Sequence, residues 1–169
     1  GIGNTTGTAF TSSLNVSSGG ILVSGTTSGR AGEIQIAKTG SSNGTLNVTG
    51  GTVTVGTGST SNKIYFFKAG SAAGYTANMT QSGGTVTANG IQFGGDSGSH
   101  DATSSATLQL SGGSLLVGAQ GITRGSAASA LPIAIQLLGG SLGASAAWSS
   151  PLDMKLGSAT IRAANSGGT

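Results

Sequence analysis

The sequence predicts an all-β chain: a right-handed parallel β-helix (β-solenoid) of about five coils, each 27–33 residues long and carrying three short strands. Three observations lead there. A Gly-Gly pair recurs in a common frame, its first Gly at positions 19, 50, 83, 112, 139 and 167. Around each pair apolar and polar residues alternate, the period of two expected of strands. The composition, 33 Gly in 169 residues and only 7% charged residues, is far from that of an average globular domain, yet the apolar periodicity argues against disorder.

The frames read LNVSSGGILVS (14–24), LNVTGGTVTV (46–55), MTQSGGTVTA (79–88), LQLSGGSLLV (108–117) and IQLLGGSLGA (135–144), and a sixth opens at Ile161 as IRAANSGGT. One strand precedes each pair and one follows it: Leu46 and Val48 before, Val53 and Val55 after. Glycine at the corner supplies backbone angles that a Cβ would oppose. A third apolar segment comes later in each repeat: EIQIAK (33–38), KIYFFK (63–68), GIQF (90–93), GITR (121–124) and PLDMKL (151–156). Three such strands bury no apolar face alone. Stacking equivalent strands ~4.8 Å apart closes the backbone hydrogen bonds and the core together. The inward columns are then Leu46/Met79/Leu108/Ile135, Val53/Val86/Leu115/Leu142, Ile34/Ile64/Ile91/Ile122 and Ile36/Phe66/Phe93. The third-strand alignment sets Glu33 against Lys63 and Lys38 against Lys68. A propeller would need four strands in a repeat of ~40 residues, and a helical repeat a period of 3.6.

The pieces GTLNVTGGTVTVG (44–56) and ATLQLSGGSLLVG (106–118) resemble the autotransporter-associated β-strand repeat of bacterial surface proteins. The segment 146–169 is similar to stretches that precede further repeats in such proteins, and the resemblance covers most of residues 13–169. It implies a parallel β-helix on the outer face of a cell, serving passenger transport, adhesion or matrix, with no catalytic residues to carry over.

Composition bounds the chemistry. Without Cys, disulfides and thiolate metal sites are ruled out. The net charge of +3 rests on seven dispersed basic residues, which make no nucleic-acid footprint, and no apolar run approaches the ~20 residues of a membrane span. Residues 1–169 read as one solenoid segment of a longer protein, since neither an initiator Met nor a signal peptide opens them. The acids are Glu33, Asp96, Asp101 and Asp153. A polysaccharide-cleaving β-helix needs carboxylates clustered on neighbouring coils, and these are scattered, so the expectation is no enzyme and no cofactor.

Four groups of residues stand out. Tyr65 and Phe67 alternate with Ile64 and Phe66, which places both outward between Lys63 and Lys68 as a candidate binding patch for a glycan or a protein surface. The competing reading is a loop bearing Phe10, Tyr75 or Trp148 laid across them. Asp96, His100 and Asp101, in GGDSGSHDATSS (94–105), are the weak candidates for a cation site; the plainer reading is a solvated insertion loop. Thr52, Thr54, Thr85 and Thr87 stack as outward Thr pairs, the arrangement of ice-binding ladders, but only over two rungs. Asn4, Asn15, Asn43, Asn47 and Asn78 begin N-x-S/T sequons. The expected role is a structural or adhesive segment of a secreted or cell-surface protein, with an end-to-end filament subunit as the alternative. The expected partners are a continuation of the solenoid, or another copy of it, at both ends.

Overall fold

The computed structural model describes residues 10–23, 32–38, 40–56 and 62–161. Among them are twelve strands and no helix: β1 (Phe10–Val16), β2 (Gly20–Val23), β3 (Ile34–Ile36), β4 (Ser42–Val48), β5 (Thr52–Val55), β6 (Ile64–Phe66), β7 (Thr76–Phe93), β8 (Ser105–Arg124), β9 (Ile133–Leu137), β10 (Ser141–Ala144), β11 (Lys155–Leu156) and β12 (Thr160–Ile161). Every pairing between them is parallel and joins one coil to the next. The chain is a β-solenoid. In the third and fourth coils the three predicted strands run on as single ladders, β7 and β8, with register shifts at the corners.

The first face stacks β1, β4, the start of β7, the start of β8, β9 and β11. The second stacks β2, β5, the middle of β7 and β8, then β10 and β12. The third stacks β3, β6 and the ends of β7 and β8. The predicted inward columns form in register, and their residues in the three central coils are buried. Phe66 and Phe93 stack with ring centroids 4.5 Å apart.

Spacing departs from prediction at both ends. Four turns carry all three strands, where about five were expected. From Leu14 the first-face column advances through Leu46, Met79, Leu108 and Ile135 in steps of 32, 33, 29 and 27 residues, but Lys155 stands only 19 residues after its partner Gln136. The fifth turn is too short for a regular third strand. PLDMKL is therefore not one: its Lys155 and Leu156 belong to the first face. Ile161 does not open a sixth frame either, because it pairs with Leu142 after the corner. Gly167 and Gly168 lie outside the described residues.

The first pair is also one residue out of register, since Gly20 pairs with Thr52 and Gly19 therefore aligns with Gly51. Steric demand explains the shift. A Cβ on Gly50 would sit 2.3 Å from the Ser17 carbonyl oxygen of the coil beneath, whereas Ser18 holds that place in coil one, with no described coil below it.

Candidate functional site

On the third face the outward column is Gln35, Tyr65, Gln92 and Thr123. Tyr65 is the one aromatic in it, and it is 8% exposed. Two lysines cover it. Lys68 Nζ stands 4.7 Å and Lys63 Nζ 5.9 Å from the ring centroid, so both ammonium groups lie over the ring in cation–π contact. Lys68 then donates to both oxygens of Glu33, at 2.5 and 2.6 Å, and Gln35 Nε2 also donates to that carboxylate. Lys63 Nζ donates to Gln92 Oε1 at 2.8 Å. Gln92 Nε2 passes the chain to the Gly94 carbonyl at 3.3 Å and to Asp96 Oδ1 at 3.2 Å, and Asp96 Oδ1 accepts from Ser126 N at 3.0 Å. The network crosses four coils and balances two cations with two carboxylates.

One expectation holds and one is corrected. Glu33 does lie in register with Lys63, because Ile34 pairs with Ile64, but its ion pair is with Lys68. Phe67 is not part of an outward patch; it is fully buried. Strand alternation holds only inside β6, which ends at Phe66, and Phe67 has φ 53°, turning its ring into the core. Its neighbours in the stack share the conformation: Ala37 has φ 53° and Gly94 φ 75°. A left-handed backbone costs a non-glycine residue about 1–2 kcal/mol, so two such residues in succession mark a corner that the stack imposes. Gly94, aligned with Phe67, was the signal in the sequence.

The covers proposed for the aromatics do not form as expected. The Lys63 and Lys68 ammonium groups stand over Tyr65, while Tyr75 and Trp148 pack against the core and Phe10 is 45% exposed.

Asp96, His100 and Asp101 do not converge. His100 is buried among three successive coils: its Nδ1 lies 3.2 Å from the Ala127 carbonyl oxygen, and its Nε2, 3.1 Å from Gly95 N and 3.0 Å from the Phe67 carbonyl oxygen, either accepts from the first or donates to the second according to the tautomer. Asp101 Oδ1 accepts from Thr103 N at 2.8 Å and Thr103 Oγ1 at 2.6 Å. Those bonds hold the Asp101 carboxyl below the usual range. Asp96 is lowered too, by the Ser126 N–H first and then by the Gln92 amide and the Lys63 charge. Among the described residues no three His, Cys, Asp or Glu side chains form a metal-holding group. Residues 94–105 are only in part the expected solvated loop: residues 96–99, 102 and 103 are exposed, but the segment is tied into the stack. Ser71 bridges His100 in a parallel step, and Gly94, Gly95, His100 and Ser104 are buried.

Tyr65 itself is pushed above the usual phenol range, by burial first and then by the charges of Glu33 and Asp96. It stays neutral, a covered side chain rather than a base.

No protein family, curated protein or solved structure matches the chain. The assignment of surfaces therefore rests on the chain's own geometry. Asp153 is not on the third face; it lies beside Lys155 at the start of the last first-face strand. The Thr pairs stand on the second face, where one outward column runs Thr52, Thr85, Ser114, Ser141 and Thr160 and the other Leu22, Thr54, Thr87, Leu116 and Gly143. Hydroxyls thus continue in one column while the other breaks.

The first face is more uniform. Its outward positions over four coils are Thr11, Ser13, Asn15; Asn43, Thr45, Asn47; Thr76, Asn78, Thr80; and Ser105, Thr107, Gln109. All are uncharged hydroxyl or amide side chains. Asn47 Nδ2 donates to Asn15 Oδ1 at 2.7 Å, Thr80 Oγ1 donates to Asn47 Oδ1 at 2.6 Å, and Thr76 N donates to Asn43 Oδ1 at 2.8 Å. Sequence reasoning treated these asparagines only as sequons, and it missed the ladder that ties the coils. Asn4 lies outside the described residues.

Proposed function

We propose that this chain is a non-enzymatic structural segment of a secreted or cell-surface bacterial protein, a rod whose neutral faces serve adhesive contact. One observation carries the reading: the titratable side chains of the third face and His100 work between coils. Glu33 and Lys68 clamp over Tyr65, His100 sits between the Phe67 and Ala127 carbonyls of the coils on either side, and Asp96 bonds Ser126 of the next. Groups committed in this way hold a stack rigid and are not poised for proton transfer, which needs a carboxylate or imidazole facing open space. The first face, uncharged at its outward positions over the first four coils, suits contact with a neutral hydroxylated surface. The resemblance to autotransporter-associated repeats supports the location outside the cell.

The test is adhesion of beads coated with the chain to bacterial cells and to immobilised neutral polysaccharide, with acidic glycans screened for cleavage alongside. Retention on a surface without cleavage supports the proposal. Cleavage of any glycan overturns it.

A second reading, a filament subunit stacking end to end, is favoured by where apolar side chains remain exposed. Among the described residues the large ones are Phe10 and Leu22 in the first coil and Leu138, Leu156 and Ile161 in the last two. Electron microscopy separates the two: single rods support the first reading, indefinite filaments the second.

A further inference from the structure

Strand β9 is covered unevenly. On one side β8 pairs with it along all five residues, from Ile133 to Leu137. On the other, β11 meets only Gln136 and Leu137. Elsewhere on the first face the next coil lays down a fuller strand: β4 covers β1 at seven residues and β7 covers β4 at five. Among the described residues no strand stands opposite residues 133–135. In place of one lies a cavity of about 370 Å3, walled by residues 133–136 on one side and by Asp153, Met154 and Lys155 on the other.

The backbone of β9 points into that gap. In a ladder each residue turns its N–H and C=O to the same side, and the side alternates. The Pro132 carbonyl accepts from Ala106 N, toward β8, and the Leu137 carbonyl accepts from Gly157 N, away from it. Odd-numbered residues of β9 therefore face away from β8, and Ile133 faces the cavity. The chain before β11 turns instead of running along β9, with Leu152 N donating to Ser150 Oγ at 3.1 Å. Ile133 is only half-buried, whereas Ala77 and Ala106 of the same inward column are fully buried.

We infer that this edge is a seat for an uncharged extended peptide of a partner protein, added parallel to β9 with an apolar side chain in the cavity. The ladder specifies the partner. Each first-face junction from coil one to coil five is a parallel strand with mostly apolar residues inward and uncharged residues outward, and the gap is one such strand left incomplete. Main-chain pairing would supply affinity and the cavity selectivity, as in strand addition to a sheet edge. Asp153 and Lys155 carry opposite charges on the far wall, so a neutral strand fits better than a charged one. The seat does not depend on where the protein is located.

The probe is the acetylated, amidated peptide TLNVTGG, the chain's own first-face pattern, titrated into the full chain. Amide exchange at Ile133 should slow on binding while that within β8 stays unchanged. Met154→Trp, which fills the cavity without touching the β8–β9 ladder, should weaken binding at least tenfold at unchanged circular dichroism. If that variant misfolds, the exchange result in the unmodified chain still decides. No slowing at Ile133 with millimolar peptide overturns the inference. So does protection confined to β1, whose outer edge is the competing site, or a rise in mass without peptide that protects Ile133, which would make a second copy the occupant.

Discussion

Asp96 shows how a lone carboxylate is used in this chain. Its Oδ1 takes the Ser126 N–H of the next coil and the Gln92 amide of its own, with the Lys63 charge nearby, and these hold it below the usual carboxylate range. A pKa lowered in the folded state means that folding binds fewer protons than unfolding. The contribution is present above the unfolded value and is lost as pH falls through the folded one. Denaturant midpoints should therefore drop on acidification below the ordinary aspartate range. Asp96→Asn should lie below the unmodified chain at neutral pH and converge with it in acid. Parallel midpoint curves for the two would show that the charge of Asp96 contributes nothing. Phe67 marks where single residues could not be read. Alternation predicts a side chain's direction only while the strand lasts, and β6 stops one residue earlier. Lys68 was read as a flank of an open patch because nothing in a linear pattern says that a flexible stem will fold back over the Tyr65 ring to reach Glu33.

The Gly-Gly corner uses its two residues differently. The first allows close approach: a Cβ on Gly83 would lie 2.3 Å from the Thr49 carbonyl oxygen of the coil beneath, and one on Gly112 2.3 Å from that of Ser82. The second meets the coil beneath as closely, a Cβ on Gly84 lying 2.4 Å from the Gly51 carbonyl oxygen, and adds a left-handed backbone with φ 64°. Gly74 has φ 81° too, but a Cβ there meets nothing within 4 Å. Gly74→Ala should then cost only the backbone preference, about 1–2 kcal/mol. Gly83→Ala, at an ordinary φ, must push two coils apart and should cost clearly more in thermal unfolding. Equal losses would mean that the corners do not stack so closely. The recurring pair and the period-two columns were readable because stacking repeats the same steric demand at every rung. Register at the first corner was not, since Ser18 stands there in the position that Gly50 holds one coil later. The third-face column was followed as far as Phe93, whose next rung is Arg124. Its guanidinium Nη1 donates to the carbonyls of Ala128, Ser129 and Leu131, ending an aromatic column with a polar cap that no apolar pattern announces.

In a stack of coils each rung contacts only its neighbours, so stability depends on position along the axis as much as on residue type. One inward column tests this: Val16, Val48, Gln81, Leu110, Leu137 and Leu156 lie in register from the first coil to the last. Gln81 interrupts it, buried, with Nε2 donating to the Ser114 carbonyl at 2.9 Å and Oε1 left without a partner. Leu110 is fully buried between rungs, while Leu156 is 58% exposed although it continues the same column. Sequence alone ranks these two leucines as equals, because the frame repeats but the shortening of the fifth turn hides in an irregular stretch around Pro151. Leu110→Ala removes contacts from the middle of the stack and should cost about 2–5 kcal/mol of unfolding free energy. Leu156→Ala removes a side chain already mostly in water and should cost less than about 1 kcal/mol. Urea midpoints of the two variants measure the difference. If they fall alike, Leu156 is covered in solution, and the last coil is joined there to another coil or chain.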